Sequence, residues 1–121
     1  MRASFLSLLL CLATAGVLLA ADITPDEAAK HVGEKVTVRG TVIEVFVSKS
    51  NNVYLNFGAK FPNQTFSADV LIKKTPALLA DGPQWLKELE GKAVNVTGTI
   101  ELYKGKPEIV LTTKEDVKLV N

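Results

Sequence analysis

Residues 33–45 read GEKVTVRGTVIEV, and residues 91–103, which begin 58 positions later, read GKAVNVTGTIELY. The two stretches share Gly, Val, Val, Gly and Thr at the same spacing. Both are rich in β-branched residues, which favours strands over helices. Two copies are too few for a solenoid. The repeat therefore predicts two long strands that enter a barrel, each with a glycine where the sheet curls, and a bulge or sharp bend at Gly40 in the first.

Residues 1–21 have the order of a secretory signal peptide. Arg2 supplies a positive charge, an uncharged apolar run follows, and Ala20 and Ala21 precede the polar sequence DITPDE. The apolar run of about 18 residues is also long enough for an uncleaved anchor helix. We expect cleavage near Ala20 or Ala21, which predicts an exported protein, periplasmic or extracellular, without membrane contact once the signal peptide is removed.

The charge and cysteine content of the remaining chain exclude some functions. The one cysteine of the full sequence, Cys11, lies in the apolar run that is removed. The mature chain is therefore expected to form no disulfide and to offer no thiolate to a metal or a substrate. Without Arg2 there are 13 basic and 13 acidic residues, a balance that argues against a strongly basic nucleic-acid-binding protein. The charge is unevenly spread, because residues 22–34 sum to −3 and residues 35–74 sum to +4.

A helix is predicted before the first long strand. Thr24 can cap it, Pro25 fits its first position, Glu27 completes a capping box and Gly33 ends it. Residues 22–34 are thus predicted to form this helix and a lead-in to residues 35–121, which form the barrel domain.

Shorter elements connect the two long strands and follow the second. The turn SKSNN leads to a second strand, VYLNFG, and the loop AKFPNQT leads to a third, FSADVLIK. Their alternation turns Tyr54, Asn56, Ser67 and Asp69 outward. A short helix over about residues 83–89 would plug a barrel end with Trp85, Leu86 and Leu89. After the fourth strand, the turn Lys104-Gly105 leads to a fifth, PEIVLT, and EDVKLV is a candidate edge strand.

This order of elements resembles the OB-fold, a five-stranded, partly open Greek-key barrel. The sequence is similar to OB domains of the helicase and tRNA-anticodon-binding type, and more closely to small secreted bacterial OB domains. The residues that carry the resemblance span about 35–112 and are Gly33, Val36, Val38, Gly40, Thr41 and the segments YLNFG, FPNQTF and LEGKAVNVTGTIELYKGKPEIVL. The resemblance implies an all-β fold, a β-barrel with one or two short helices.

The resemblance also implies where a ligand binds. OB domains use the face of the second and third strands and the loops beside it. The candidate ligand-binding residues are Tyr54, Asn56, Ser67 and Asp69 on the strands, and Lys49, Asn51, Lys60, Phe61, Asn63, Tyr103, Lys104 and Lys106 in the loops. Tyr54, with Phe46 if that side chain points outward, can stack bases, and the lysines can meet phosphates. The alternative is that the aromatic residues pack on the barrel ends and the lysines are solvated loop tips.

Catalysis is not expected. The lone histidine, His31, lies near the C-terminal end of the first helix, where a cation suits the helix dipole. OB-barrel nucleases need acidic metal ligands and arginines, and the mature chain has a single arginine, Arg39. We therefore expect no catalytic residue, no metal and no cofactor. The leading hypothesis is weak, salt-sensitive binding of single-stranded nucleic acid or oligonucleotide. The alternative is a periplasmic module that binds another exported protein or a small ligand.

Overall fold

The computed structural model describes residues 21–121, so the predicted signal peptide lies outside the described residues apart from Ala21. Within this range, eight strands form one sheet. The strands are β1 (Ala21–Ile23), β2 (Lys35–Val47), β3 (Val53–Phe57), β4 (Phe66–Val70), β5 (Ala93–Thr99), β6 (Glu101–Tyr103), β7 (Lys106–Val110) and β8 (Val117–Leu119). Their hydrogen-bonded order is β6-β7-β4-β3-β2-β5-β8, and β1 pairs with β2.

The sheet curls into a partly open barrel. β2 pairs with β5 through residues 35–41 and with β3 through residues 42–47, both antiparallel, while β4 pairs parallel with β7. β6 and β5 lie on opposite sides of the hydrogen-bonded path, yet only Ile100 separates them in the chain. The all-β Greek-key barrel expected from the sequence is thus confirmed. The predicted fourth strand is β5 with β6, the predicted edge strand is β8, and β1 is an additional strand.

The two copies of the sequence repeat pair with each other about a local two-fold axis. Val38 of β2 lies opposite Val96 of β5, the equivalent residue in the second copy. The N–H of Gly33 donates to the carbonyl of Ile100 at 2.8 Å, and the equivalent hydrogen bond in the other copy has the same length. The repeat therefore has a structural role. Its two copies form the antiparallel ladder between β2 and β5, which are the first and fourth strands predicted from the sequence.

Short helices cover the ends of the barrel. They are the 3-10 helices Pro25–His31, Pro76–Leu79 and Lys114–Asp116 and the α-helix Gln84–Lys87. The predicted capping box is present, because the carboxylate of Glu27 accepts hydrogen bonds from the N–H and the hydroxyl of Thr24. The α-helix is shorter than predicted, but Leu86 is fully buried and Trp85 and Leu89 pack against the core.

The bend in β2 lies beyond the glycine at which the sequence places it. The register with β3 shifts by one residue between Val42 and Glu44, so Ile43 is the extra residue of a β-bulge. Gly40 is required for a different reason, since a Cβ there would lie 2.6 Å from Cγ of Pro25. The sequence predicts a bulge or sharp bend at Gly40, and the bulge lies three residues further along, at Ile43. Gly40 itself is needed because the first 3-10 helix packs directly onto it.

The core is formed by the inward-facing apolar side chains of β2, β3, β4, β5 and β7. Val53, Leu55 and Phe57 of β3 are fully buried, as their alternation predicts. Phe57 packs against Phe66 of β4 with ring centroids 5.3 Å apart. No helix among residues 21–121 is long and apolar enough to cross a membrane.

Candidate functional site

A cavity of about 350 Å³ lies on the outer face of the sheet, over β3, β4 and β7. Its lining comes from the end of β2, from the outward side chains of these three strands, from the loop between β3 and β4, and from the β6–β7 hairpin. Every part of the lining except β2 supplies residues that the sequence singled out. The cavity is therefore where the candidate residues can be tested against geometry.

Eight of the twelve candidate ligand-binding residues line this cavity: Tyr54, Asn56, Phe61, Ser67, Asp69, Tyr103, Lys104 and Lys106. The other four, Lys49, Asn51, Lys60 and Asn63, are exposed and do not line it. Lys49 and Asn51 lie in the turn between β2 and β3, where Asn51 has a φ of 68°. The structure thus brings the strand and hairpin candidates together with Phe61 and leaves Lys49, Asn51, Lys60 and Asn63 outside the cavity.

The sequence predicts that the polar side chains of β3 and β4 face outward as an open surface. The structure buries three of them. Asn56, Ser67 and Asp69 are only 1%, 7% and 1% exposed. Nδ2 of Asn56 donates to Oε1 of Glu44 at 2.9 Å, and the N–H of Phe61 donates to the same oxygen at 3.0 Å. The loop after β3 is thereby held over the outer face of the sheet. The prediction of a free polar wall is wrong, because this loop and the neighbouring strand turn that wall into a recess.

Glu44 is an anchor for this loop. The N–H of Phe61 and then the amide of Asn56 stabilise its charged form and hold the pKa of Glu44 below its ordinary value. The carboxylate therefore remains ionised in neutral solution and keeps both hydrogen bonds.

A lysine ties the same loop to β7. Nζ of Lys106 donates to the carbonyl of Pro62 at 2.6 Å and to that of Gln64 at 3.0 Å. The loop begins at Gly58, which has a φ of +85° and whose Cβ, if present, would collide with the side chain of Thr65. Lys106 therefore acts as a structural tie, whereas the sequence predicts a ligand-binding cation.

Three aromatic rings gather at the cavity. Phe46 stacks on Phe61 with centroids 6.2 Å apart and planes 10° apart, and it lies 6.3 Å from Tyr54. Phe46 is 41% exposed and Phe61 is 63% exposed. Phe46 thus points outward, an orientation that the sequence leaves open. The rings form an apolar wall with solvent-accessible faces, to which we refer as the aromatic wall (Phe46, Tyr54 and Phe61).

Two carboxyl groups lie beside one another in the cavity. Ser67 and Glu108 are partners in the parallel β4–β7 ladder, and Asp69 is two residues further along β4. Burial first, and then the carboxylate of Glu108, raise the pKa of Asp69 to about 9, while a hydrogen bond from Ser67 acts in the opposite direction. Asp69 is therefore held in its neutral form at pH 7.

Four lining residues were not among the candidate ligand contacts from the sequence, namely Ser48, Pro62, Gln64 and Glu108, and Phe46 was considered only on the condition that it points outward. Glu108 had a detectable signal in the sequence, since it alternates with the buried Pro107 and Ile109 and must point outward. The sequence does not give the direction of the Phe46 side chain, because the bulge at Ile43 changes the alternation before it. Within residues 21–121, no group of three or more His, Cys, Asp or Glu side chains is placed to hold a metal ion.

Solved structures share the fold. An OBody, AM1L10, bound to hen egg-white lysozyme matches with a TM-score of 0.60 and 20% identity over 87% of this chain and 98% of that chain. The asparaginyl-tRNA synthetase of Pyrococcus horikoshii, complexed with asparaginyl-adenylate, matches with a TM-score of 0.54 and 14% identity over 84% of this chain and 23% of that chain. The protein has an OB-fold.

The asparaginyl-tRNA synthetase of Entamoeba histolytica has the same likeness, with a TM-score of 0.56 and 17% identity over 85% of this chain and 24% of that chain. The OB-fold chain thus spans about a quarter of the length of these synthetases. Neither a protein-family model nor a curated protein matches the sequence. At these identities the likeness establishes the fold, and the function has to be argued from the site.

Proposed function

We propose that the protein is an exported, non-enzymatic binding protein that takes single-stranded nucleic acid into the cavity. The observation that carries this proposal is the aromatic wall beside a cavity of about 350 Å³. Bases stack on exposed aromatic rings with about 1–3 kcal/mol per base, irrespective of their sequence. OB-folds bind oligonucleotides on the corresponding strands. Export is supported by the order of residues 1–21.

The charges around the cavity support weak binding. Lys104 at the tip of the β6–β7 hairpin and Lys60 in the loop after β3 are exposed and can approach phosphates, whereas Lys106 is held by two carbonyl groups. Two stacked bases contribute about 2–6 kcal/mol, against an association cost of about 4–15 kcal/mol. We therefore expect dissociation constants in the micromolar range or above.

Two phosphate contacts also set the response to salt. For single strands, the logarithm of the binding constant falls by about 0.7 per contact for each tenfold rise in salt concentration. Two contacts, from Lys60 and Lys104, therefore predict about sevenfold weaker binding at 200 mM than at 50 mM salt.

Fluorescence anisotropy with a labelled single-stranded DNA of mixed sequence tests the proposal. Phe61→Ala removes one of the three rings of the aromatic wall and is expected to weaken the binding of the oligonucleotide by about fivefold or more. Leu102→Ala is the matched control, because Leu102 is an exposed apolar residue outside the cavity. Absence of binding at 50 micromolar protein in 50 mM salt would refute the proposal, and so would equal losses in the two variants.

A second candidate is recognition of another exported protein or of a small ligand. It is favoured by the zero net charge of residues 22–121 and by the likeness to an OBody that is bound to lysozyme. The exposed rings of Phe61 and Tyr103 offer apolar contacts to such a partner. The effect of salt on binding affinity distinguishes the two candidate functions. Binding that persists at 200 mM salt, and that an excess of oligonucleotide does not displace, would favour the second.

A further inference from the structure

Two oxygen atoms of the cavity residues are buried and have no hydrogen-bond partner within residues 21–121. They are Oδ1 of Asp69 and Oε1 of Gln64. A buried polar atom without a partner is unfavourable, and most such atoms in proteins are hydrogen-bonded. Asp69 is 1% exposed and lines the cavity. A ligand that donates hydrogen bonds to these oxygens therefore gains stabilisation that the protein alone does not have.

Two donors of the cavity are engaged by the protein itself. The amide of Asn56 is engaged by Glu44, and the ammonium of Lys106 is engaged by backbone carbonyls. Glu108, whose carboxylate contributes to the raised pKa of Asp69, also lines the cavity. Oδ1 of Asp69, Oε1 of Gln64 and the Glu108 carboxylate thus form an acceptor cluster.

The acceptor cluster and the aromatic wall are adjacent. Tyr54 and Asp69 are direct partners in the antiparallel β3–β4 ladder, so their side chains are neighbours on the outer face. A planar group stacked on the wall can therefore direct its edge to the acceptors. An exocyclic amino group lies in the plane of its ring and donates along that edge, as in cytosine and adenine.

We propose that, within the proposed nucleic-acid-binding function on which this inference rests, the cavity selects bases that carry an exocyclic amino group. Cytosine and adenine present N–H donors to the acceptor cluster. Thymine and uracil present a carbonyl oxygen at the position where cytosine carries its amino group. That oxygen would face the acceptor that pairs with the amino group of cytosine and would leave this acceptor unpaired, even where the N3–H of the base reaches another oxygen of the cluster.

The test compares labelled oligo(dC) with oligo(dU) of equal length by anisotropy in 50 mM salt. The two differ at C4, amino against carbonyl, and in the proton on N3. One good base contact discriminates by about fivefold to about 150-fold, so we expect oligo(dC) to bind at least fivefold more tightly. Equal affinities would overturn this inference and leave the proposed function standing. Failure of both oligonucleotides to bind at 50 micromolar protein would overturn both.

Two variants trace the preference to the acceptor cluster. Asp69→Leu replaces the acceptor by an apolar group of similar size, and Gln64→Leu does so in the loop. Each is expected to lower the affinity for oligo(dC) at least fivefold and to bring the ratio of the two affinities towards one. Leu102→Ala, outside the cavity, is expected to keep the ratio.

Each variant can be tested even if the other does not fold. Gln64 lies in the loop, so Gln64→Leu tests the inference even if Asp69→Leu fails to give a native circular dichroism spectrum. A wild-type ratio in every folded variant would contradict the inference.

Discussion

Replacing Asp69 by Asn is expected to change how the stability of the protein depends on pH. In the folded protein, burial and the neighbouring Glu108 raise the pKa of Asp69 to about 9. In the unfolded chain an aspartate titrates near 3.9. Because the folded state binds this proton more tightly, its contribution to stability is fully present below about pH 4 and is lost as the pH rises towards 9. Asn keeps the shape and the donor of the protonated acid but does not titrate.

The magnitude follows from proton linkage. Between pH 5 and pH 8 the folded state holds up to one more proton than the unfolded state, so the free energy of unfolding falls by at most about 1.4 kcal/mol per pH unit. Over three units the loss is at most about 4 kcal/mol, a large part of the stability of a small domain. The carboxylates with lowered pKa values, Glu27, Glu44 and Asp116, act in the opposite sense but only below about pH 5.

Urea unfolding at pH 5, 6, 7 and 8 measures this effect. The fluorescence of Trp85, the single tryptophan, reports unfolding, because its ring packs against the core and its Nε1 donates to the carbonyl of Leu78. The wild-type protein should lose stability as the pH rises, and Asp69→Asn should remove most of that slope. Asp81→Asn, the same change at an exposed position, should keep it. A wild-type free energy of unfolding that is flat or rises over this range would refute the reasoning.

Two further substitutions test the framework and the loop. Gly98→Ala places a Cβ 2.5 Å from Cγ2 of the buried Ile109, so we expect a loss of about 1–3 kcal/mol in urea unfolding. The loss should shrink in an Ile109→Ala background, and equal losses in both backgrounds would show that this contact is not the cause. Lys106→Met removes the donor to two loop carbonyls and should destabilise the loop by about 1 kcal/mol. Amide hydrogen exchange at Thr65, measured by NMR, should become faster, while exchange in β5 stays unchanged.

Much of the fold could be predicted because its determinants are local. The alternation of Val53, Leu55 and Phe57 fixes the inner face of β3, and the capping box at Thr24 and Glu27 fixes the start of the first helix. The repeat around Gly40 and Gly98 identifies the two long strands that pair with each other. These features depend on neighbours in sequence and on a period of two, which a single sequence displays.

The burial of the candidate site could not be predicted, because the residues that cause it are far apart in the sequence. Asn56 is buried because Glu44, 12 residues away, accepts its hydrogen bond. The loop over the cavity is held by Lys106, 44 residues from Pro62 in the chain. Glu108 reaches the cavity only because β7 lies parallel to β4. Alternation assigns side chains to the outer face, but the burial of that face depends on which segment covers it.

The change of partner along β2 separates two tasks on one strand. Residues 35–41 pair with β5, and residues 42–47 pair with β3 and supply Phe46 to the aromatic wall. The extra residue, Ile43, lies near the start of the second half, directly after Val42. Under the proposed function, substitutions in the second half would alter what the protein recognises while the first half continues to hold the scaffold together. A strand divided in this way lets selection remodel specificity without rebuilding the architecture, which is how one fold comes to serve unrelated ligands.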